Sequence, residues 1–189
     1  YHVLFPVNRN PAGEAAAFAT HAGDVDLIVL DLERTDGLPA QAVLDQARVW
    51  LIEAEAHFGK RPVIYTGSWF WDGPSYVGPA TPAGWEFQYD LWEAEYTRQF
   101  PWGGVDPSQA PIGQPMDLSD GFVGWKFWQW TSAGKPTGVQ SGSLDYDVFN
   151  GTEAELRVYL GLAPPPATCE QQVAILNREA ALRGWNLTP

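Results

Sequence analysis

Residues 27–33, Leu-Ile-Val-Leu-Asp-Leu-Glu, constrain the fold of this chain more tightly than any other stretch. The run is apolar at consecutive positions, so neither side of it can face water. A strand buried on both faces belongs to a parallel sheet covered by helices. It also ends in two carboxylates spaced i and i+2. On a strand those side chains leave the same face, with Cα atoms roughly 6.5–7 Å apart.

The surrounding sequence repeats the rhythm that such a sheet requires. Residues 12–22 read as a short helix closed by Gly23, and a strand from about Asp26 to Leu32 follows. From Pro39 to Phe58, Ala42, Val43, Ala47, Trp50, Leu51 and Ala54 recur at helical spacing, with Gly59 as the stop and Arg61–Thr66 as the next short strand. Strand, helix, strand is a βαβ unit and predicts an α/β fold. After it the helical period fades. Residues 67–121 are rich in Gly, Pro and Trp, with short strands expected near Phe87–Trp92 and Val123–Trp130, an arrangement that suits long loops at one rim of a barrel. Thr152–Leu160 reads as a helix opened by a Thr152/Glu155 capping box.

At 189 residues the chain accommodates one domain and a short appendage. The expected division is a barrel over 1–162, a stiff proline-rich linker over 163–166, and a helical segment over 167–189. Val173, Leu176 and Ala180 would form the apolar stripe of that last segment.

Charge and composition remove several classes of function. A net charge of −12 argues against nucleic acid and anionic membranes as partners, since both call for a basic counter-surface. No run of eighteen apolar residues and no basic-then-apolar leader is present. A lone cysteine, Cys169, leaves no intrachain disulfide to form. No cofactor is expected. Gly134-Lys135 lacks the upstream glycine of a phosphate loop, and no His joins the carboxylates at a metal-ligand spacing.

The aromatic and acidic layout points to sugar chemistry. Lys126–Asn150 sets an aromatic strand, a Gly/Ser/Pro turn region and an acidic strand in succession, and Asp145 and Asp147 repeat the i, i+2 spacing of Asp31 and Glu33. Indole faces stack on the apolar faces of pyranose rings, and paired carboxylates supply the acid and the charge stabilisation that breaking a glycosidic bond requires. Mutual repulsion and burial raise the pKa of one member of such a pair, which keeps a proton to donate near neutral pH. Tyr65, Trp92, Tyr96, Trp128 and Trp130 lie on or beside strand ends and are the candidates for sugar subsites.

The block Trp128-Gln129-Trp130-Thr131-Ser132-Ala133-Gly134, with Gly138, Gly142 and Leu144-Asp145-Tyr146-Asp147-Val148-Phe149, resembles the C-terminal signature of the glycoside hydrolase family twenty-five lysozymes. Tyr1-His2, Asp31-Leu32-Glu33, Pro62–Thr66 and Leu91–Tyr96 resemble that family's other landmarks, in its order. The resemblance implies a TIM-like irregular β/α barrel of the (β/α)5β3 type and N-acetylmuramidase activity on peptidoglycan glycan strands. It places the protein outside the cell or at the cell wall, as a secreted lysozyme or a phage-encoded or virion-associated lysin. It further implies Glu33 as proton donor, Asp31 as charge stabiliser, Asp145 as an essential acid and His2 turned toward the site. Asp147 stands where the family often has Asn, and a structural hydrogen-bonding role is expected of it. The family's opening strand, with its Asp-Val-Ser or Asp-Ile-Ser triplet, has no counterpart in the sequence. An upstream segment or a second chain is therefore expected to complete the barrel. The alternative is a non-catalytic wall-binding or virion structural module.

Overall fold

The structure, a computed structural model, describes residues 1–72, 84–96, 113–135, 138 and 144–162. In the unit spanning Tyr1–Asn150, six strands lie side by side in chain order: β1 (His2–Val3), β2 (Val29–Asp31), β3 (Val63–Thr66), β4 (Asp90–Ala94), β5 (Phe127–Gly134) and β6 (Leu144–Phe149). Strands β1 to β5 are parallel, and β6 runs antiparallel to β5. Helices α1 (Pro11–Ala22) and α2 (Ala40–Phe58) form the first two crossovers, and the single turn α3 (Ser68–Trp71) follows β3. The fold is mixed α/β, as the sequence predicts. Among the described strands, β1 and β6 are the ends of the row, and no described pairing closes it into a barrel.

Local chemistry sets the helix ends. The Asn10 side chain accepts from the Gly13 amide at 3.2 Å, and Pro11 fits the first turn of α1. Gly59 closes α2 with φ of 64°, a left-handed conformation that favours glycine. Both helices lie within a residue or two of their predicted ranges.

The strands depart further from prediction. Phe87 sits in a 3-10 turn, Glu86–Gln88, where its ring packs edge-on to Phe122 at 5.1 Å, so β4 begins only at Asp90. Strand β5 starts later than expected and runs on to Gly134, because β6 pairs with its small, polar C-terminal half. A Cβ on Gly134 would lie 2.6 Å from the Tyr146 ring, so the glycine admits that crossing.

The sheet has two unlike faces. Leu30, Leu32 and Ile64 point outward and pack with Val43, Ala47, Trp50 and Leu51 of α2. Each such buried side chain contributes about 1.5–3 kcal/mol. Phe18 of α1 joins this layer against Trp50 and Phe58, at 5.8 and 5.6 Å between ring centroids. The inner face carries Val29, Tyr65, Trp92 and Ala94.

In the second unit, Gly151–Pro189, the described part is α4 (Glu153–Tyr159), with the predicted Thr152/Glu155 capping box formed in both directions. The predicted linker at 163–166 and helical segment at 167–189 lie outside the described residues. Among the described residues no helix is long and apolar enough to cross a membrane.

Candidate active site

Alternation along the strands decides which side chains meet. Asp31 is the last residue of β2, with Leu30 and Leu32 turned to the helices and Asp31 to the inner face. The chain keeps its register beyond the strand. The Leu32 amide donates to the Tyr65 carbonyl at 2.9 Å, and the Leu32 carbonyl accepts from the Thr66 hydroxyl at 2.8 Å. With Leu32 pinned at both ends, Glu33 leaves the chain on the side of Asp31.

Tyr1, Tyr65, Trp92, Gln129, Asp145 and Asp147 line a cavity of about 280 Å³ on this inner face. Tyr1 donates its hydroxyl to Asp31 Oδ2, and Tyr65 donates to Gln129 Oε1. The Trp92 indole donates to Asp147 Oδ1 at 2.8 Å while its ring meets Tyr65 edge-on at 5.8 Å. Tyr96, half exposed, lies beside Ser132 and Tyr65 and within the field of Glu33 and Asp145. Asp31 is buried, and its Oδ1 has no hydrogen-bond partner among the described residues.

The site therefore concentrates negative charge where water is scarce. Burial, then the charges of Asp31 and Asp145, push Glu33 up to about 7. Burial also raises Asp31, against the opposing pull of the Tyr1 hydroxyl and the positive charge of Arg34. Asp147 is pushed up to about 6 by burial and Asp145, with the Trp92 hydrogen bond acting the other way. Among the described residues no group of three or more His, Cys, Asp or Glu is placed to hold a metal ion.

Asp31, Glu33, Asp145, Tyr65, Trp92 and Tyr96 are thus brought to one place, and three predicted site residues are not. His2 pairs with Leu30 in β1–β2 and so faces the helices, where it stacks on Trp50 at 5.2 Å and bonds Glu14 at 3.1 Å. Trp128 and Trp130 lie on the outer face of β5, 2% and 1% exposed, and Trp130 packs against Tyr146. Neither indole offers a face to a sugar. They share one parity, and Gln129 between them is the residue that reaches the cavity.

Tyr1 and Gln129 were missed as site residues by sequence reasoning. The usable signal was parity: once Trp92 is placed inward, its register partner Phe127 is inward too, and Gln129 follows two residues on.

A second buried acid lies on the outer face. Glu93, fully buried, accepts from the amides of Ser68 and Ser119, both at 2.9 Å. Burial pushes it up to about 7 against those hydrogen bonds. A carboxyl raised on folding holds its proton in the folded chain at pH values where the unfolded chain has released it. The folded state then binds more protons, and stability falls as pH rises through that window. The melting temperature is expected to fall as pH rises from about 4.5, the ordinary glutamate value, to about 7. Glu93 can contribute up to about 1.4 kcal/mol per pH unit there. Glu93→Gln should flatten the slope in a thermal melt series, and a melting temperature that climbs from pH 5 to pH 7 would contradict this account.

Comparison with known proteins follows the same lines. The family model "Glycosyl hydrolases family 25" matches residues 1–139. An uncharacterized protein YegX of Escherichia coli O157:H7 is 33% identical over 132 residues, which cover 70% of this chain and 39% of that protein. Lysozyme M1 of Streptomyces globisporus is 28% identical over 178 residues, covering 82% of this chain and 50% of that one. The chain thus spans half or less of the length of these relatives. Among solved structures, the bacterial lysozyme from Streptomyces coelicolor superposes with a TM-score of 0.64 at 24% identity, over 86% of this chain and 72% of that one. The muramidase from Acremonium alcalophilum gives a TM-score of 0.60 at 22% identity, over 85% and 71%. At such identities the structural likeness is one of fold. The family match spans well over half of the chain, includes Asp31, Glu33 and strands β1 to β5, and shows that this protein belongs to the glycosyl hydrolases family 25.

Proposed function

We propose that this chain carries the cleavage site of a peptidoglycan N-acetylmuramidase, hydrolysing the β-1,4 bond between N-acetylmuramic acid and N-acetylglucosamine. The observation that carries the reading is Glu33, its pKa pushed up to about 7 by burial and by the charges of Asp31 and of Asp145, itself a lining residue of the aromatic cavity. A carboxyl with a pKa near 7 is protonated often enough at neutral pH to act as general acid, and its conjugate base is strong enough to serve the return step.

In this mechanism Glu33 protonates the leaving glycosidic oxygen. As the bond to that oxygen breaks, positive charge grows on the sugar ring and the ionised Asp31 stabilises it; a water that gives its proton to the Glu33 carboxylate then forms the new bond to the anomeric carbon. The buried Asp31 Oδ1 has no hydrogen-bond partner among the described residues, so protein donors there leave more of the carboxylate's charge to act through its field. Asp145 reinforces the negative field, and Tyr65, Trp92 and Tyr96 hold the sugar. Tyr1 acts through Asp31, as a positioning residue.

The direct test is digestion of purified peptidoglycan by the full chain, with the new reducing ends identified by mass spectrometry. Muramic acid at the reducing end supports the reading. Reducing glucosamine ends, or none, overturn it. Tyr1→Phe should lower kcat about tenfold with little change in KM, the usual scale for one charge-assisted hydrogen bond. The Tyr1 bond lowers the Asp31 pKa, so its loss should move the acid limb of the rate profile to higher pH. An unmoved acid limb would show that Tyr1 does not act through Asp31.

A further inference from the structure

Trp69 is the second residue of α3, and its indole is 52% exposed although its neighbours Phe70 and Trp71 are buried. Its position follows from β3. Tyr65 faces inward and Thr66 outward, where its hydroxyl bonds Leu32. Gly67 continues the strand in extended conformation, φ −140° and ψ 153°, so its side-chain direction is inward again. A Cβ built there would collide with the Trp69 indole nitrogen and lie 2.5 Å from the Ala94 carbonyl oxygen. The indole therefore folds back over Gly67, on the inner side of the sheet and against the C-terminal end of β4. By strand parity this is the cavity's side of the sheet, one step beyond Tyr65 and Trp92 on the same strands.

Other contacts hold the turn that carries this exposed ring. The Ser68 amide donates to the buried Glu93 carboxylate at 2.9 Å, and the Trp71 indole donates to the Asp120 carbonyl at 2.9 Å. The turn that carries Trp69 is thus tied to β4 on one side and to the 113–122 segment on the other. An indole kept exposed on a tethered turn, on the cavity's side of the sheet, is a flat platform for the apolar face of a pyranose ring.

We propose that Trp69 floors an outer glycan subsite, one that takes an amino-sugar ring of the strand beyond the rings held at the carboxylates, and so makes affinity depend on glycan length. This rests on the glycan-cleaving reading of the site. The ligand would be a long, peptide-free glycan strand, and a short oligosaccharide seated at the carboxylates would not reach Trp69.

Calorimetric titration of peptide-free peptidoglycan strands and of the tetrasaccharide into a Glu33→Gln background, which binds without cleaving, tests the proposal. Trp69→Ala should weaken binding of long strands about tenfold, as loss of one aromatic anchor does, and leave tetrasaccharide affinity unchanged. Trp69→Tyr should recover most of the loss. Trp69→Leu keeps apolar bulk without a flat face and should show the same loss as Trp69→Ala, which guards against a folding defect in the smaller variant. Long-strand affinity that is unchanged in Trp69→Ala and Trp69→Leu overturns the proposal, and so does an equal loss on the tetrasaccharide. These outcomes are separable from failure of the enzymatic reading. A chain that never cleaves glycan defeats that reading whatever Trp69 does, whereas a chain that cleaves normally and binds long strands without Trp69 defeats only this one.

Discussion

Glu33→Gln is expected to lower glycan cleavage by about 10²–10⁴-fold, the usual scale for removal of a general acid. Gln keeps the shape of the side chain and its hydrogen-bonding reach, but it has no proton to transfer. Its effect on stability should run the other way. Above about pH 7 the wild-type Glu33 is ionised in a site where burial and two nearby carboxylates oppose its charge. The neutral amide relieves that repulsion, so the variant should melt no lower than the wild type at pH 8. The wild-type rate should fall as pH rises through about 7, when Glu33 loses its proton, and on the acid side as the raised Asp31 takes one up. Reducing-end release against pH, with a thermal melt of the same samples, measures all of this. Near wild-type cleavage by the Gln variant would remove Glu33 from the acid's role.

How much of this could be read from the sequence depended on whether the signal was local. The βαβ rhythm was legible because helix α2 carries its apolar face at a period that residues 42–54 display by themselves, and because Gly23 and Gly59 stop their helices by local backbone geometry. Asp31 and Glu33 were legible because residues i and i+2 of an extended chain share a face whatever the rest of the fold does. The facing of β5 was not local. Trp128-Gln129-Trp130 alternates in either orientation, and only its pairing with Trp92–Ala94 settles that Gln129 faces inward. His2 was misplaced for the same reason, since its pairing with Leu30 on the neighbouring strand turns it to the helices. Tyr1 reaches Asp31 across the same sheet, and Trp69 folds back on the cavity's side of the sheet only because Gly67 leaves room for its ring. Aromatic content marked the right region and could not tell core from groove.

That distinction sets the second large effect: Trp128→Ala should act on folding and leave sugar recognition nearly intact. The indole is 2% exposed on the outer face of β5, packs edge-on to Trp125 at 6.1 Å and pairs in register with Val148. Its Nε1 donates to the Glu95 carbonyl at 2.8 Å. Truncation removes one of the three indoles of this small cluster and takes that donor from Glu95. Buried Trp-to-Ala changes cost about 3–5 kcal/mol, equivalent here to a melting temperature lower by roughly 10 °C or more. Trp92→Ala supplies the contrast, because that ring lines the cavity and holds Asp147; it should raise KM and leave the fold less affected. Below the melting point, Trp128→Ala should keep the KM of the wild type, since Tyr65, Gln129 and Trp92 hold the inner face through their own contacts. The reverse pattern, an unchanged melting temperature with glycan binding lost, would return Trp128 to the groove and mean that β5 presents its other face to the substrate.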